Sequence, residues 1–147
     1  MLKTTLFIIS AVFVLIFAAF IVMAVMSQKT PKSLGLVDGL LKPCPDSPNC
    51  VCSEKHTKEN QQHYISPLVA DLEKVKHVIL QLGGKIASED DNYVHAKFTS
   101  SLFHYVDDVE LRFEPETGIT HVRSASRMGH SDLGANRKRV EAIKKAL

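Results

Sequence analysis

Hydrophobic and polar positions divide the chain into three stretches. Residues 5–26, TLFIISAVFVLIFAAFIVMAVM, carry no charge, and only Thr5 and Ser10 are polar. A helix rising 1.5 Å per residue crosses the bilayer core with about 20 apolar residues, so this run predicts a transmembrane helix and residues 1–26 an N-terminal membrane anchor. A cleavable signal peptide has a shorter apolar core, roughly 7–15 residues. Val22-Met23-Ala24 is a weak small-residue cleavage site, but the length favours an uncleaved anchor. The run has no cysteine, which argues against lipoprotein-type attachment at its end. Residues 27–42, SQKTPKSLGLVDGLLK, hold Pro31, Gly35 and Gly39 without periodicity. They read as a tether, with Leu34, Leu36 and Leu40 available to dock on the domain beyond it.

Residues 43–147 carry the periodicities of one small folded domain. Leu72, Val75, Val78, Ile79 and Leu82 lie at helical spacing within 69–82. Asp71 and Glu73 sit near the positive end of that helix, Pro67 precedes it and Gly83-Gly84 ends it. His77 lies off the apolar stripe. A short strand follows at 85–88, and Asp90-Asp91-Asn92 makes a turn. In 93–99, Val94, Ala96 and Phe98 alternate with Tyr93, His95 and Lys97. Residues 102–113 predict a longer strand, with a slip near Asp107-Asp108 that suggests a bulge. Residues 114–118 make a hairpin loop. In 119–126, Ile119, His121, Arg123 and Ala125 face one way and Thr120, Val122, Ser124 and Ser126 the other. A last helix over 134–146 buries Val140, Ile143 and Leu147, with Ser131 or Asp132 as N-cap. The expected fold class is α+β: one curved antiparallel sheet with two helices packed on one face, preceded by a single transmembrane helix. About 120 residues after the anchor suffice for one domain and not for two.

Charge refines this reading. The net charge of +2 demands no nucleic-acid partner. Its distribution is uneven: residues 27–120 sum to −4 and residues 121–147 to +5. Because the basic segment also carries the apolar spacing of packed elements, mutual neutralisation within the fold is favoured over a binding tail. The flanks of the apolar run barely differ, Lys3 against Lys29 and Lys32, so the positive-inside comparison is nearly a tie.

The cysteines break that tie. Cys44, Cys50 and Cys52 all lie in PCPDSPNCVC. Pro48-Asn49 favours a turn that returns Cys44 to Cys50, and a disulfide there would contribute about 2 kcal/mol by closing a small loop. Three pairings are open from spacing; Cys44–Cys50 is the expected one, with Cys52 left as a thiol. A disulfide suits an exported domain, so the chain is expected at the cell membrane, single-pass, with its domain on the non-cytoplasmic side. Metal binding by Cys44, Cys50, Cys52 and His56 is disfavoured, because their spacing matches no paired-knuckle zinc pattern.

The densest chemistry lies in HVRSASRMGHSDLGANRKR at 121–139. This segment and two others, LGLVDGLLKPCPDSPNCVCS at 34–53 and HAKFTSSLFHYVDDVELRF at 95–113, make the chain resemble the uncharacterised bacterial and plastid family known as domain of unknown function 1499. The resemblance spans nearly the whole domain. It implies an envelope or membrane-associated setting and brings no activity, cofactor or substrate. It also implies serine where this chain has Cys52, which makes the third thiol a local feature.

Three readings compete for the polar constellation. In the structural one, Arg123 and Arg127 meet Asp107 and Asp108 across paired strands and fix their register. In the binding one, Arg123, Ser124, Ser126, Arg127, Ser131 and Asn136 form an anion pocket beside the N-terminus of the last helix, suited to a lipid headgroup or cell-wall fragment. The third is a hydrolase drawn from His95, His104, His121 or His130 with Ser100, Ser124, Ser126 or Ser131. No G-x-S-x-G or H-E-x-x-H motif supports it, so no catalytic residue is assigned. The structural reading is preferred. No cofactor and no metal are expected. The expected partners are the membrane, through residues 5–26, and an anionic ligand or an envelope protein. Nucleic acid is not among them, since Arg137, Lys138 and Arg139 share one short helix without interleaved aromatics.

Overall fold

The computed structural model describes residues 2–147. It begins with α1 (Leu2–Ser27), long and apolar enough to cross a membrane, a property that signal sequences share. Two very short strands, β1 (Leu36–Val37) and β2 (Leu40–Leu41), pair as a hairpin inside the segment read as tether. The remaining elements are β3 (Cys50–Cys52), α2 (Leu72–Gln81), β4 (Lys85–Asp90), β5 (Tyr93–Thr99), β6 (Val106–Glu114), β7 (Ile119–Ser126) and α3 (Ala135–Ala146). The fold is α+β. Strands β3 to β7 form one open antiparallel sheet in the order β3-β7-β6-β5-β4, so β4 to β7 are a meander and β3 closes the far edge.

Strand alternation builds the core. Val94 and Ala96 of β5 face Leu111 and Val109 of β6, and Leu111 in turn faces Val122 of β7. These side chains join Val51, Leu72, Val75, Val78 and Ile79 of α2, and Val140 and Ile143 of α3, in one buried cluster. Asp71 caps α2 by accepting from the Lys74 amide, so the helix begins three residues later than the apolar period suggested. Leu82 belongs to the C-cap and is largely exposed rather than part of the stripe. Gly84, just beyond, is pressed against Ile79 and Phe98; a Cβ there would lie 2.6 Å from the Ile79 methyl.

Two expectations for the long strand need correction. It starts at Val106, not Leu102, because residues 100–105 fold back through Ser100 N donating to Tyr105 O and Tyr105 N to Ser100 Oγ. No slip occurs at Asp107-Asp108, which pair in regular register with Phe98 and Lys97; the irregularity lies between Ile86 and Ser88 of β4. The alternation looked broken because Asp107 takes an odd position, on the face of Val109 and Leu111, and Val106 an even one, on the face of Asp108 and Glu110. α3 starts after a left-handed Gly134, and Asp132 still caps it from outside by accepting from the Gly134 and Asn136 amides.

Candidate functional site

Both faces of this sheet are interior along β6 and β7, while the edge strand β4 is largely exposed. One meets the helices. The other carries Tyr93 and His95 from β5, Asp108, Glu110 and Arg112 from β6, and His121 and Arg123 from β7, in direct cross-strand register. An isolated charge here would be costly in a poorly hydrated setting, so the face is stable only if each charge is paired. Three clusters meet that condition.

At the first, Asp108 takes a bidentate grip from Arg127, Nε to Oδ2 at 2.8 Å and Nη2 to Oδ1 at 2.7 Å, and His95 Nε2 lies 2.7 Å from Oδ1. Burial alone would raise the Asp108 pKa; the hydrogen bonds from His95 and Arg127 outweigh it and hold the carboxyl below its ordinary value. At the second, Arg123 Nη1 donates to Glu110 Oε2 at 2.7 Å, while Glu110 Oε1 accepts from Tyr93 OH and from Gly35 N, each at 2.8 Å. Burial and the neighbouring Glu110 push the Tyr93 phenol up. At the third, Arg112 grips Glu54 through Nε at 2.7 Å and Nη2 at 3.1 Å, and the Leu41 amide donates to Glu54 Oε1. Glu54 pushes the Arg112 pKa up.

Each cluster also engages the segment that covers the face. Gly35 N reaches Glu110 and Leu41 N reaches Glu54. Arg127 Nη1 donates to the carbonyls of Ser27 and Gln28, at 3.0 and 3.1 Å, where α1 ends. Residues 27–42 therefore lie over the sheet as a strap. At the start of β3, Cys44 and Cys50 Sγ lie at disulfide distance, 2.02 Å. Cys52 is a buried thiol whose pKa burial pushes up, so it is held in the unreactive protonated form.

The six residues considered for an anion pocket do not converge. Arg123, Ser126 and Arg127 line a cavity of about 110 Å³ between strap and sheet, with Pro31, Ser33, Leu34 and Pro45 opposite. Ser126 also lines a separate cavity of about 260 Å³, which takes in Ser131, Phe20 and Met23. Ser124 points away, its hydroxyl donating to Asn136 Oδ1 at 2.6 Å, and Asn136 Nδ2 donates to the Asn49 carbonyl and Ser126 Oγ. The sheet separates Ser124 from Arg123 because adjacent strand residues face opposite ways.

The ion pairing differs from expectation in its partners. Arg127 does meet Asp108, but Arg123 pairs with Glu110, its direct cross-strand neighbour. Asp107 faces the helices and is bound by Arg139 of α3 at 2.6 Å, whose guanidinium also lies over the Phe98 ring. Glu54, Tyr93, Glu110 and Arg112 are site residues that the sequence reading passed over, and His95, considered there only for a hydrolase, instead supports Asp108. The signal was there, in acids and bases at alternate positions of three successive strands.

The fold brings one Ser–His–acid set together, Ser53, His121 and Glu54. Ser53 Oγ lies 3.3 Å and Glu54 Oε2 3.6 Å from the same nitrogen, His121 Nδ1. A proton relay needs the two on opposite ring nitrogens, so this set is not arranged as a triad. Ser53 Oγ instead accepts from the Val122 amide. Among the described residues, no group of three His, Cys, Asp or Glu side chains is placed to hold a metal ion.

No curated protein and no solved structure matches the chain. A family described as protein of unknown function (DUF1499) matches residues 40–147, which include all five strands of the sheet, both domain helices, Glu54, Asp108, Glu110, Arg112, Arg123 and Arg127. That match covers well over half of the sequence, and the chain belongs to this family.

Proposed function

We propose that the chain is a single-span, membrane-anchored, non-catalytic domain, in which the buried arginines form a clasp holding the domain against the end of its anchor. The observation that carries this reading is Arg127, which binds Asp108 of the sheet and the two carbonyls at the end of α1, Ser27 and Gln28, with one guanidinium. A binding surface used by the cell envelope would then be presented at a set height and orientation. Disulfide distance between Cys44 and Cys50 supports a non-cytoplasmic side.

A second reading rests on Arg123 Nε, which is buried without a hydrogen-bond partner. Arg123 lines the small cavity beside Arg127 and Ser126, which suits water or a small carboxylate. A lipid headgroup or cell-wall fragment would need a site of the order of 300 Å³ or more. Thermal melting of the full chain in detergent micelles, with and without millimolar acetate or phosphate, separates the readings. The clasp predicts no anion-dependent rise in melting temperature. A saturable rise that disappears in Arg123→Met would establish the anion site, because ligand bound only to the native state adds stability by mass action.

A further inference from the structure

Residues 98–106, FTSSLFHYV, contain no Asp, Glu, Lys or Arg. Their central turn does not pack on the domain core. It runs along the last turns of α1. The Phe103 ring stacks on Phe20 at 5.2 Å and meets Phe17 at 6.0 Å. Tyr105 OH donates to the Phe20 carbonyl, and Gln28 Nε2 donates to the His104 carbonyl. Leu102, at the tip, is 77% exposed. Beside it, Phe17, Ile21, Ala24 and Val25 of α1 complete an apolar groove with Leu102 and Phe103.

We infer that residues 100–105 enter the bilayer beside α1, with Leu102 and Phe103 taking lipid acyl chains as their partner. The inference rests on the anchor reading and goes beyond it by giving the domain a second membrane contact. Depth follows from helix geometry. If Ser27 marks the hydrocarbon boundary, Phe20 lies seven residues inside it, about 10 Å down the axis. Phe103 stacks at that level. If α1 slides outward until Phe20 marks the boundary, residues 3–20 still span roughly 27 Å, close to a thin bilayer core. Leu102 and Phe103 then sit at the boundary itself. The second placement is the one that suits an irregular turn, because its backbone groups stay within reach of water while the Leu102 and Phe103 side chains meet lipid. The fold suits that position: Ser100 and Tyr105 satisfy each other's amides and carbonyl at the turn, and Tyr105 has the apolar body and polar tip that favour the interface. A lone spanning helix leaves its domain free to tilt, and a second contact removes that freedom.

The test uses the full chain in lipid nanodiscs, with an environment-sensitive fluorophore on Leu102→Cys, Val14→Cys or Glu116→Cys. Cys52 is fully buried and does not compete for label. Quenching is read with lipids carrying a nitroxide near the headgroup or near the chain end. The Leu102 site is expected to lose most of its fluorescence to the shallow quencher, the Val14 site to the deep one, and the Glu116 site to neither. A Leu102 site as unquenched as Glu116, with Val14 still quenched, overturns the insertion and leaves the anchor standing. An unquenched Val14 site overturns both.

Discussion

Arg127→Met removes four hydrogen bonds at once, two to the Asp108 carboxylate and two to the carbonyls of Ser27 and Gln28. Asp108 is 2% exposed, so its charge cannot recover those bonds from water. Breaking a buried ion pair by deleting one partner costs about 3–5 kcal/mol. His95 remains at 2.7 Å and softens the loss, which favours the lower end, about 3 kcal/mol. For a domain of this size 1 kcal/mol corresponds to roughly 3–5 °C, so melting should fall by about 10–15 °C. The assay is thermal unfolding of the full chain in micelles, followed by near-ultraviolet circular dichroism. Adding Asp108→Leu to Arg127→Met should restore a large part of the loss, because an apolar pair can replace a buried ion pair at little cost. If the single variant melts within about 3 °C of the parent, the clasp carries no weight and the reasoning fails.

Other parts of the molecule give three more expected outcomes. The Asp108 carboxyl is held below its ordinary value in the fold, so its contribution is complete above about pH 3.9 and disappears as pH falls through the lower folded value. Melting temperature should drop steeply below about pH 4, less so in Asp108→Asn, and equal acid slopes would contradict this. Gly84→Ala forces a methyl group to within 2.6–2.8 Å of Ile79 and Phe98, so urea unfolding should show a loss of about 1–3 kcal/mol, and an unchanged midpoint would mean the α2–β4 corner yields freely. Thiol titration of the unreduced protein should find no reactive thiol in the native state and one after denaturation; three would show that Cys44 and Cys50 are not bonded.

Much of the fold was legible because its helices and the meander carry short-range periodicity. Leu72, Val75, Val78 and Ile79 mark α2, and the alternation in β5 and β7 assigns every residue to its observed face. What escaped was the second interior. Alternation reports that Asp108, Glu110 and Arg112 share a face of β6, not what covers it. The cover is residues 27–42, whose paired strands have two residues each, too short to show a period. The pairing of Arg123 with Glu110 rather than Asp107 or Asp108 depended on strand register, and the apparent slip at Asp107-Asp108 hid it. The placement of Arg139 on Asp107 needed the three-dimensional approach of α3 to β6, which no local pattern records.

The clasp joins residues that are far apart in the order of synthesis. Arg127 holds Ser27 and Gln28, 100 and 99 positions earlier, and Glu110 holds Gly35, 75 positions earlier. The meander of β4 to β7 pairs neighbours in sequence and closes only short loops, whereas these contacts close far longer ones. The strap, made before the sheet, is therefore expected to find its place last. If the first helix holds the chain in a bilayer, as proposed above, that final step draws the finished sheet down toward the membrane. On that condition completion of folding and arrival at the membrane surface become a single event, and a variant that loosens Arg127 should separate the two.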